Sequence, residues 1–182
     1  MTVIREIPDT VAFTTERLEI RKMTRDEWEL FVDNVVFADE CLFTFAHEKD
    51  EKLLEAIREP KLNSGLNYSI YLSDEDRMIG FMSFCTSEKH IDHNCIAYYI
   101  FEDYRRQGYA YEAVSMLIEK LLDGTLLGRP ADEIIAWVVW NNISSMKLIE
   151  KLGFRGGDYR VFDDGVAERK FRYEAAYVGK TA

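Results

Sequence analysis

A short stretch of the sequence, YRRQGYA at residues 104–110, places cationic side chains and a glycine at the start of a helical pattern. Arg105 and Arg106 supply hydrogen-bond donors, and Gly108 has no side chain to block an approach to the backbone. The first N–H groups of a helix lack partners inside the helix, and the helix dipole adds partial positive charge there. The stretch therefore suits an anion such as phosphate, although such a glycine can also serve only a tight turn.

The context of this stretch favours the anion site over the simple turn. The segment before it, NCIAYYIFEDY at residues 94–104, is apolar on both faces and predicts a central strand. Ligands of α/β proteins bind beyond the carboxyl ends of such strands. The sequence contains neither G-X-G-X-X-G nor G-X-X-X-X-G-K-[ST], which disfavours a dinucleotide site and a P-loop nucleotide site.

A second polar pair begins the segment NNISSMKLIEKLGF at residues 141–154. Ser145 shares one helical face with the apolar residues Leu148, Ile149 and Leu152, so its hydroxyl is predicted to point inward. Asn142 lies three residues earlier, where the helix begins. The alternative is structural: Asn142 is a good N-cap, and a serine in the first turn can bond back to the backbone.

Histidine and cysteine give weak signals. His90 and His93 have a spacing seen in metal sites, but no third ligand accompanies them, so we predict no metal. The cysteines are too few and too scattered for a disulfide scaffold or a thiolate metal site; they are Cys41, Cys85 and Cys95. A reduced, cytoplasmic setting is expected.

The elements that would position these residues alternate between strand and helix patterns. The predicted order is a strand at 13–23, helices at 24–37 and 50–60, a hairpin at 67–84, a strand at 94–104, a helix at 110–121, a strand at 133–140, a helix at 141–154 and a hairpin at 154–177. The mixture predicts a single α/β unit, and we expect one domain over residues 1–182.

Composition excludes several classes of protein. The 23 Lys and Arg residues face 33 Asp and Glu residues, which disfavours a nucleic-acid binder because such proteins concentrate positive charge. This balance suits a cationic partner, although an acidic surface also serves solubility alone. No apolar run is long enough to cross a bilayer, and the first ten residues lack the apolar core of a secretory signal, so we expect no membrane partner.

Two motifs together resemble the GNAT acetyltransferase superfamily. Residues 96–122 are similar to its acyl-CoA-binding motif, Arg/Gln-X-X-Gly-X-Gly/Ala, which Arg105, Gly108 and Ala110 match. Residues 142–154 resemble a second signature of the branch that acetylates ribosomal-protein N-termini, matched at Asn142, Ser145, Glu150, Lys151, Gly153 and Phe154. The resemblance runs from about residue 13 to about residue 175. It implies a single α/β (α+β) domain with a central mixed, mostly antiparallel sheet of about seven strands flanked by helices.

The resemblance implies that the anion is the diphosphate of acetyl-CoA, a co-substrate. The N–H groups of residues 106–110 would hold the diphosphate, and the pantetheine arm would pair with the strand at residues 98–100. The residues expected to contact the cofactor are Tyr98, Tyr99, Ile100, Arg105, Arg106, Gln107, Gly108, Tyr109, Ala110 and Asn142.

In this family a primary amine attacks the thioester directly, within a ternary complex. The resemblance assigns catalytic roles to Asn142 and Ser145, with Ser145 as proton donor to the leaving thiolate, and it matches Glu168 to an acidic position near the acceptor. For Glu168, as for Glu102 and Asp103, the alternative is a solvated surface carboxylate.

The acceptor amine is left open between a protein N-terminus and a small molecule. A non-catalytic acyl-CoA sensor is the alternative function, and either a monomer or a homodimer fits the sequence.

Overall fold

The computed structural model describes residues 11–31, 65–86, 93–163 and 165–174. These ranges contain eight strands and three α-helices. The strands are β1 (Val11–Thr14), β2 (Leu18–Lys22), β3 (Gly65–Leu72), β4 (Arg77–Cys85), β5 (Ile96–Ile100), β6 (Glu133–Val139), β7 (Arg155–Val161) and β8 (Ala167–Glu174). The helices are α1 (Arg25–Phe31), α2 (Tyr109–Leu122) and α3 (Ile143–Lys151). No helix in the described part of the chain is both long and apolar enough to cross a membrane.

The strands form two antiparallel sheets that meet at one point. The first sheet has the order β1-β2-β3-β4-β5, and the second has the order β6-β8-β7. A single parallel bridge between Cys95 and Ile135 joins them, where the Ile135 N–H donates to the Asn94 carbonyl over 2.8 Å. Beyond this bridge, β5 and β6 belong to separate sheets. We call the space between these two strands beyond the Cys95–Ile135 bridge the seam.

Helices cover both faces of the first sheet. On one face, α2 and α3 pack over a large core that includes the fully buried Leu117, Ile149 and Phe171. On the other face, α1 places Phe31 against Phe81, with their ring centroids 3.8 Å apart. Burial of each such side chain contributes about 2 kcal/mol, so these two clusters fix the position of β5 from both sides.

The observed elements confirm the predicted fold class, an α+β domain with mostly antiparallel pairing. The predicted apolar face of α2 is buried as expected, through Ala113, Val114, Leu117, Ile118 and Leu121. The hairpins β3–β4 and β7–β8, the strand β6 and the helix α3 also lie where the sequence predicts them. The sheet differs in one respect: instead of one sheet of about seven strands, the described residues form sheets of five and three strands.

Two expectations about strands were wrong. The opening strand at 13–23 is a hairpin, because Thr15 forms a turn in which its N–H donates to the Leu18 carbonyl and its Oγ1 accepts from the Leu18 N–H. The strand β5 is the last strand of its sheet rather than a central one. Its two apolar faces reflect the cores that cover it on both sides, not pairing along both edges. The helix predicted at 50–60 lies outside the described residues.

Candidate active site

The loop between β5 and α2 has an unusual backbone. Arg106 adopts a φ of 62° and Gly108 a φ of 87°, which is the left-handed region that glycine reaches at the lowest cost. Gly108 is the N-cap of α2, and its cap position has no side-chain hydrogen bond. The loop therefore enters the helix without a protein group over its first amides.

The amides of this loop are free. Among the described residues, no acceptor pairs with the N–H groups of residues 106–110, whereas the N–H of Arg105 just before them donates to the Glu102 carbonyl over 3.1 Å. Five consecutive donors at the positive end of a 14-residue helix form an anion-binding arrangement. Gly108 is exposed at its centre.

The side chain of Arg105 is engaged with the strand. Its Nε donates to the Ile100 carbonyl over 2.9 Å, and its Nη2 donates to the Tyr99 hydroxyl over 2.8 Å. The Gln107 side chain likewise turns back, donating to the Asp103 carbonyl over 3.2 Å. These two side chains hold the loop against the end of β5. The Arg106 side chain is exposed.

The three predicted contact residues on β5 divide between its two faces. Tyr98 and Ile100 face the large core under α2, while Tyr99 stacks on Phe81 in the cluster under α1. The backbone N–H groups of β5 also alternate in direction, between β4 and the seam. Because the Phe101 N–H donates across to β4, odd-numbered residues face β4, and the N–H groups of Tyr98 and Ile100 face the seam.

The first residues of α2 are less exposed to solvent than the loop that precedes them. Tyr109 and Ala110 are half-buried and pack against the large core. Their side chains support the first turn of the helix from below, which leaves their N–H groups at its open end.

The start of α3 carries the second predicted pair. The Asn142 side chain accepts from the Ser145 N–H over 3.1 Å, which confirms that Asn142 is the N-cap. The Ser145 hydroxyl lies 2.7 Å from the Tyr98 hydroxyl. Since Tyr98 belongs to β5 and Ser145 to the helix after β6, this hydrogen bond crosses the seam. The capping role and the inward-pointing hydroxyl therefore occur together.

Burial raises the pKa of Tyr98 to about 12, although the hydrogen bond with Ser145 acts in the opposite direction. At neutral pH the phenol therefore stays protonated. The pair formed by Tyr98 and Ser145 holds two hydroxyl protons and no charge, so it can donate a hydrogen bond to a developing anion.

Glu168 lies on the other face of the second sheet. Its neighbour in register is Val139, whereas the next inward-facing pair, Phe171 and Ala136, belongs to the large core under α3. The alternation of side chains along β8 therefore places Glu168 opposite that core. Its carboxylate is buried and accepts from Arg160 Nε over 2.7 Å.

The surface alternative for Glu168 was therefore wrong: the residue is 0% exposed. A buried carboxylate is retained as an ion only when it is paired, and Arg160 supplies that pairing from β7. Glu102 and Asp103, by contrast, are exposed in a turn after β5, as the surface alternative predicted.

In the described part of the chain, no group of three or more His, Cys, Asp or Glu side chains could hold a metal ion. His93 lies in a turn before β5, and His90 is outside the described residues.

Three polar contacts at this site were missed by sequence reasoning. They are the bond between Tyr98 and Ser145, the ion pair between Arg160 and Glu168, and the ion pair between Arg17 and Glu112. The partners in the first and third pairs are 47 and 95 residues apart, so no local pattern could have indicated them.

Comparison with known proteins identifies the fold. A GNAT acetyltransferase from Bacillus anthracis is 22% identical, with a TM-score of 0.64, over 90% of this chain and 98% of that one. A ribosomal-protein alanine acetyltransferase from Vibrio fischeri is 15% identical, with a TM-score of 0.61, over 91% of this chain and 97% of that one. A ribosomal alpha-N-protein acetyltransferase in complex with coenzyme A is 12% identical, with a TM-score of 0.64, over 90% of this chain and 97% of that one.

A search of curated protein sequences found no significant match. The profile of the acetyltransferase (GNAT) domain, however, matches residues 17–155, which include the loop before α2, the seam and all of α3. The chain belongs to the GNAT acetyltransferase family.

Proposed function

We propose that this protein transfers the acetyl group of acetyl-CoA to a primary amine, by direct attack of the amine within a ternary complex. The observation that carries the proposal is the row of free amides at residues 106–110, at the end of β5 and beside a seam that the hydroxyl pair of Tyr98 and Ser145 crosses.

In this proposal the free amides hold the diphosphate of the cofactor. The backbone N–H groups of Tyr98 and Ile100, which face the seam, would pair with the amides of the pantetheine arm. Arg105 acts indirectly, because its guanidinium already binds Ile100 and Tyr99 and so fixes the loop. Arg106 and Gln107 contribute their backbone donors.

The thioester sulfur would lie near Ser145 and Tyr98. When the C–N bond forms and the C–S bond breaks, negative charge develops on the sulfur of the leaving thiolate. The Ser145 hydroxyl donates a hydrogen bond to this thiolate, with Tyr98 bonded behind it. The pKa of Tyr98, about 12, keeps this pair neutral while the thiolate leaves.

The amine would approach from the face of the second sheet on which Glu168 lies, opposite the core under α3. The acceptor gives its first proton to solvent, because only the neutral amine can attack. The nitrogen loses a second proton as it becomes an amide, and a carboxylate on that face would accept this proton directly or through a water molecule. The hydrogen bond from Arg160 Nε orients the Glu168 carboxylate for this role. The separation of Glu168 from Ser145 by the sheet supports a mechanism in which amine and thiol lie on opposite sides of the carbonyl carbon.

The acceptor we favour is a protein N-terminus. Two solved relatives that share the fold are named as ribosomal-protein acetyltransferases. An α-amino group is cationic in solution and suits a chain with a formal net charge of -10.

The test is release of free thiol from acetyl-CoA in the presence of a panel of amines and N-terminal peptides. We expect turnover with at least one peptide and an acetylated product in its mass spectrum. Binding of CoA in calorimetry, without turnover on any acceptor, would instead identify a non-catalytic sensor.

A further inference from the structure

We propose that Arg17 and Glu112 form a clasp that sets the diphosphate loop in its binding conformation, with Arg17 acting as a positioning residue. The inference rests on the proposed function of that loop and extends it to two residues that lie outside the known motif. Arg17 is in the turn between β1 and β2, and Glu112 is in the first turn of α2.

The Glu112 carboxylate accepts hydrogen bonds from the β1–β2 turn. Its Oε1 accepts from the Thr15 hydroxyl over 2.5 Å and from the Arg17 N–H over 2.9 Å. Its Oε2 accepts from the Arg17 guanidinium, at 2.8 Å from Nε and 2.7 Å from Nη2. This two-point geometry fixes the guanidinium plane relative to α2.

The charge of this carboxylate would otherwise oppose cofactor binding. Glu112 lies four residues after Gly108, at the helix end that is expected to hold a diphosphate, and like charges repel. Partial burial opposes ionisation of Glu112, but hydrogen bonds from Thr15 and Arg17 outweigh it and lower its pKa. Arg17 therefore neutralises the one acidic side chain in the first turn of α2.

Arg17 also contacts the loop itself. Its Nη1 donates to the Gln107 carbonyl over 3.1 Å, and its guanidinium carbon lies 4.4 Å from the centre of the Tyr109 ring. Its Nη2 lies 3.3 Å from the point where a Cβ on Gly108 would be. The guanidinium thus covers one side of the loop from Gln107 to Tyr109.

The contact with Gln107 determines where the loop donors point. In a trans peptide the carbonyl of Gln107 and the N–H of Gly108 point in opposite directions. By drawing the carbonyl toward itself, Arg17 turns the Gly108 N–H to the opposite side, where an anion can approach. Gln107 stands between two residues with positive φ, Arg106 and Gly108.

The experiment compares two acyl donors in the Arg17→Ala variant. Acetyl-CoA carries the diphosphate, whereas S-acetyl-pantetheine lacks it. We expect the KM for acetyl-CoA to rise about tenfold with kcat nearly unchanged, and kcat/KM for S-acetyl-pantetheine to stay at the wild-type value. Calorimetry should show the same loss of affinity for CoA.

Two further variants keep the test decisive. Arg17→Lys keeps the positive charge but cannot contact Glu112 and the Gln107 carbonyl with the same planar geometry, so it should weaken CoA binding in the same direction if Arg17→Ala does not fold. Arg129→Ala removes an exposed ion pair with Asp132 far from the loop and should leave CoA affinity unchanged. An equal loss with both acyl donors, or wild-type affinity for CoA in both Arg17 variants, would overturn the clasp. Absence of CoA binding in the wild-type protein would instead contradict the proposed function.

Discussion

The two helices that begin at the seam, α2 and α3, start in opposite ways. The helix α2 follows β5, and its N-cap is Gly108, which has no side chain to satisfy the first amides. The helix α3 follows β6, and its N-cap is Asn142, whose side chain accepts from the Ser145 N–H. One helix end is therefore open and the other is closed by the protein itself.

The difference separates two tasks that a transfer enzyme must perform. An open helix end keeps its positive partial charge available for an anion from solution. A capped helix end satisfies its own donors and fixes the first turn, so the Ser145 hydroxyl is held toward Tyr98. In the proposed function, the residue at the N-cap, glycine or asparagine, suits each helix to its task.

The largest effect is expected from closing the open end. The change Gly108→Glu would place a bulky anion among the free amides, and we expect CoA binding to fall below detection in calorimetry. Gly128→Glu is the matched control, because Gly128 also has a positive φ and has nothing within 4 Å of its Cβ position. Both variants should lose about 1–2 kcal/mol of stability to backbone strain. Retained CoA affinity in Gly108→Glu would refute the diphosphate site.

The next largest effect is expected from removing the Ser145 hydroxyl, which the capped start of α3 holds in place. We expect Ser145→Ala to lower kcat about 100-fold, because the thiolate loses its donor, while the Kd for CoA stays within about twofold. Ser144→Ala is the control, since Ser144 is the exposed neighbour on the same helix. Equal activity of the two variants in a thiol-release assay would leave Ser145 with a structural role alone.

Removing the N-cap of α3 should have a smaller effect. Asn142→Ala removes the acceptor for the Ser145 N–H and should cost about 1 kcal/mol of unfolding free energy in urea denaturation. We expect kcat to fall severalfold, because Ser145 is less well held, with CoA affinity kept. Asn142→Asp, which restores a capping side chain, should recover both quantities. A loss of CoA affinity in Asn142→Ala would show instead that Asn142 contacts the cofactor, as the family resemblance implies.

The smallest effect at neutral pH is expected from Tyr98→Phe, which removes only the partner behind Ser145. The pKa of Tyr98 in the folded protein, about 12, lies above its ordinary value of 10.0. The stability that the neutral phenol contributes is therefore fully present below about pH 10 and is lost as the pH rises toward 12.

Wild-type protein should accordingly lose unfolding free energy relative to Tyr98→Phe only above about pH 10. Urea denaturation of both proteins at pH 8 to 11 measures this difference. A difference that already changes between pH 8 and 9 would contradict the buried, neutral phenol.

Most of the fold and part of the site could be predicted from the sequence. The face of α2 that carries Val114 and Leu117 is buried as its spacing predicts, and the cap at Asn142 lies where a local rule places it. The split of the first predicted strand at Thr15 was missed, because the prediction extended the strand through the polar residues 15–17, which form the turn between β1 and β2. The edge position of β5 was missed for a related reason: burial on two faces produces the same apolar pattern as a central strand.

The sequence by itself determined the features that depend on neighbours a few positions away. These are the left-handed turn at Gly108, the cap at Asn142 and the helical face of Ser145, since backbone dihedrals and helix periodicity are local properties. Only the tertiary structure decided which of these residues meet a partner. Tyr98 reaches Ser145, and Arg17 reaches Glu112, because the packing of two separate sheets and their helices sets distances that no sequence spacing encodes.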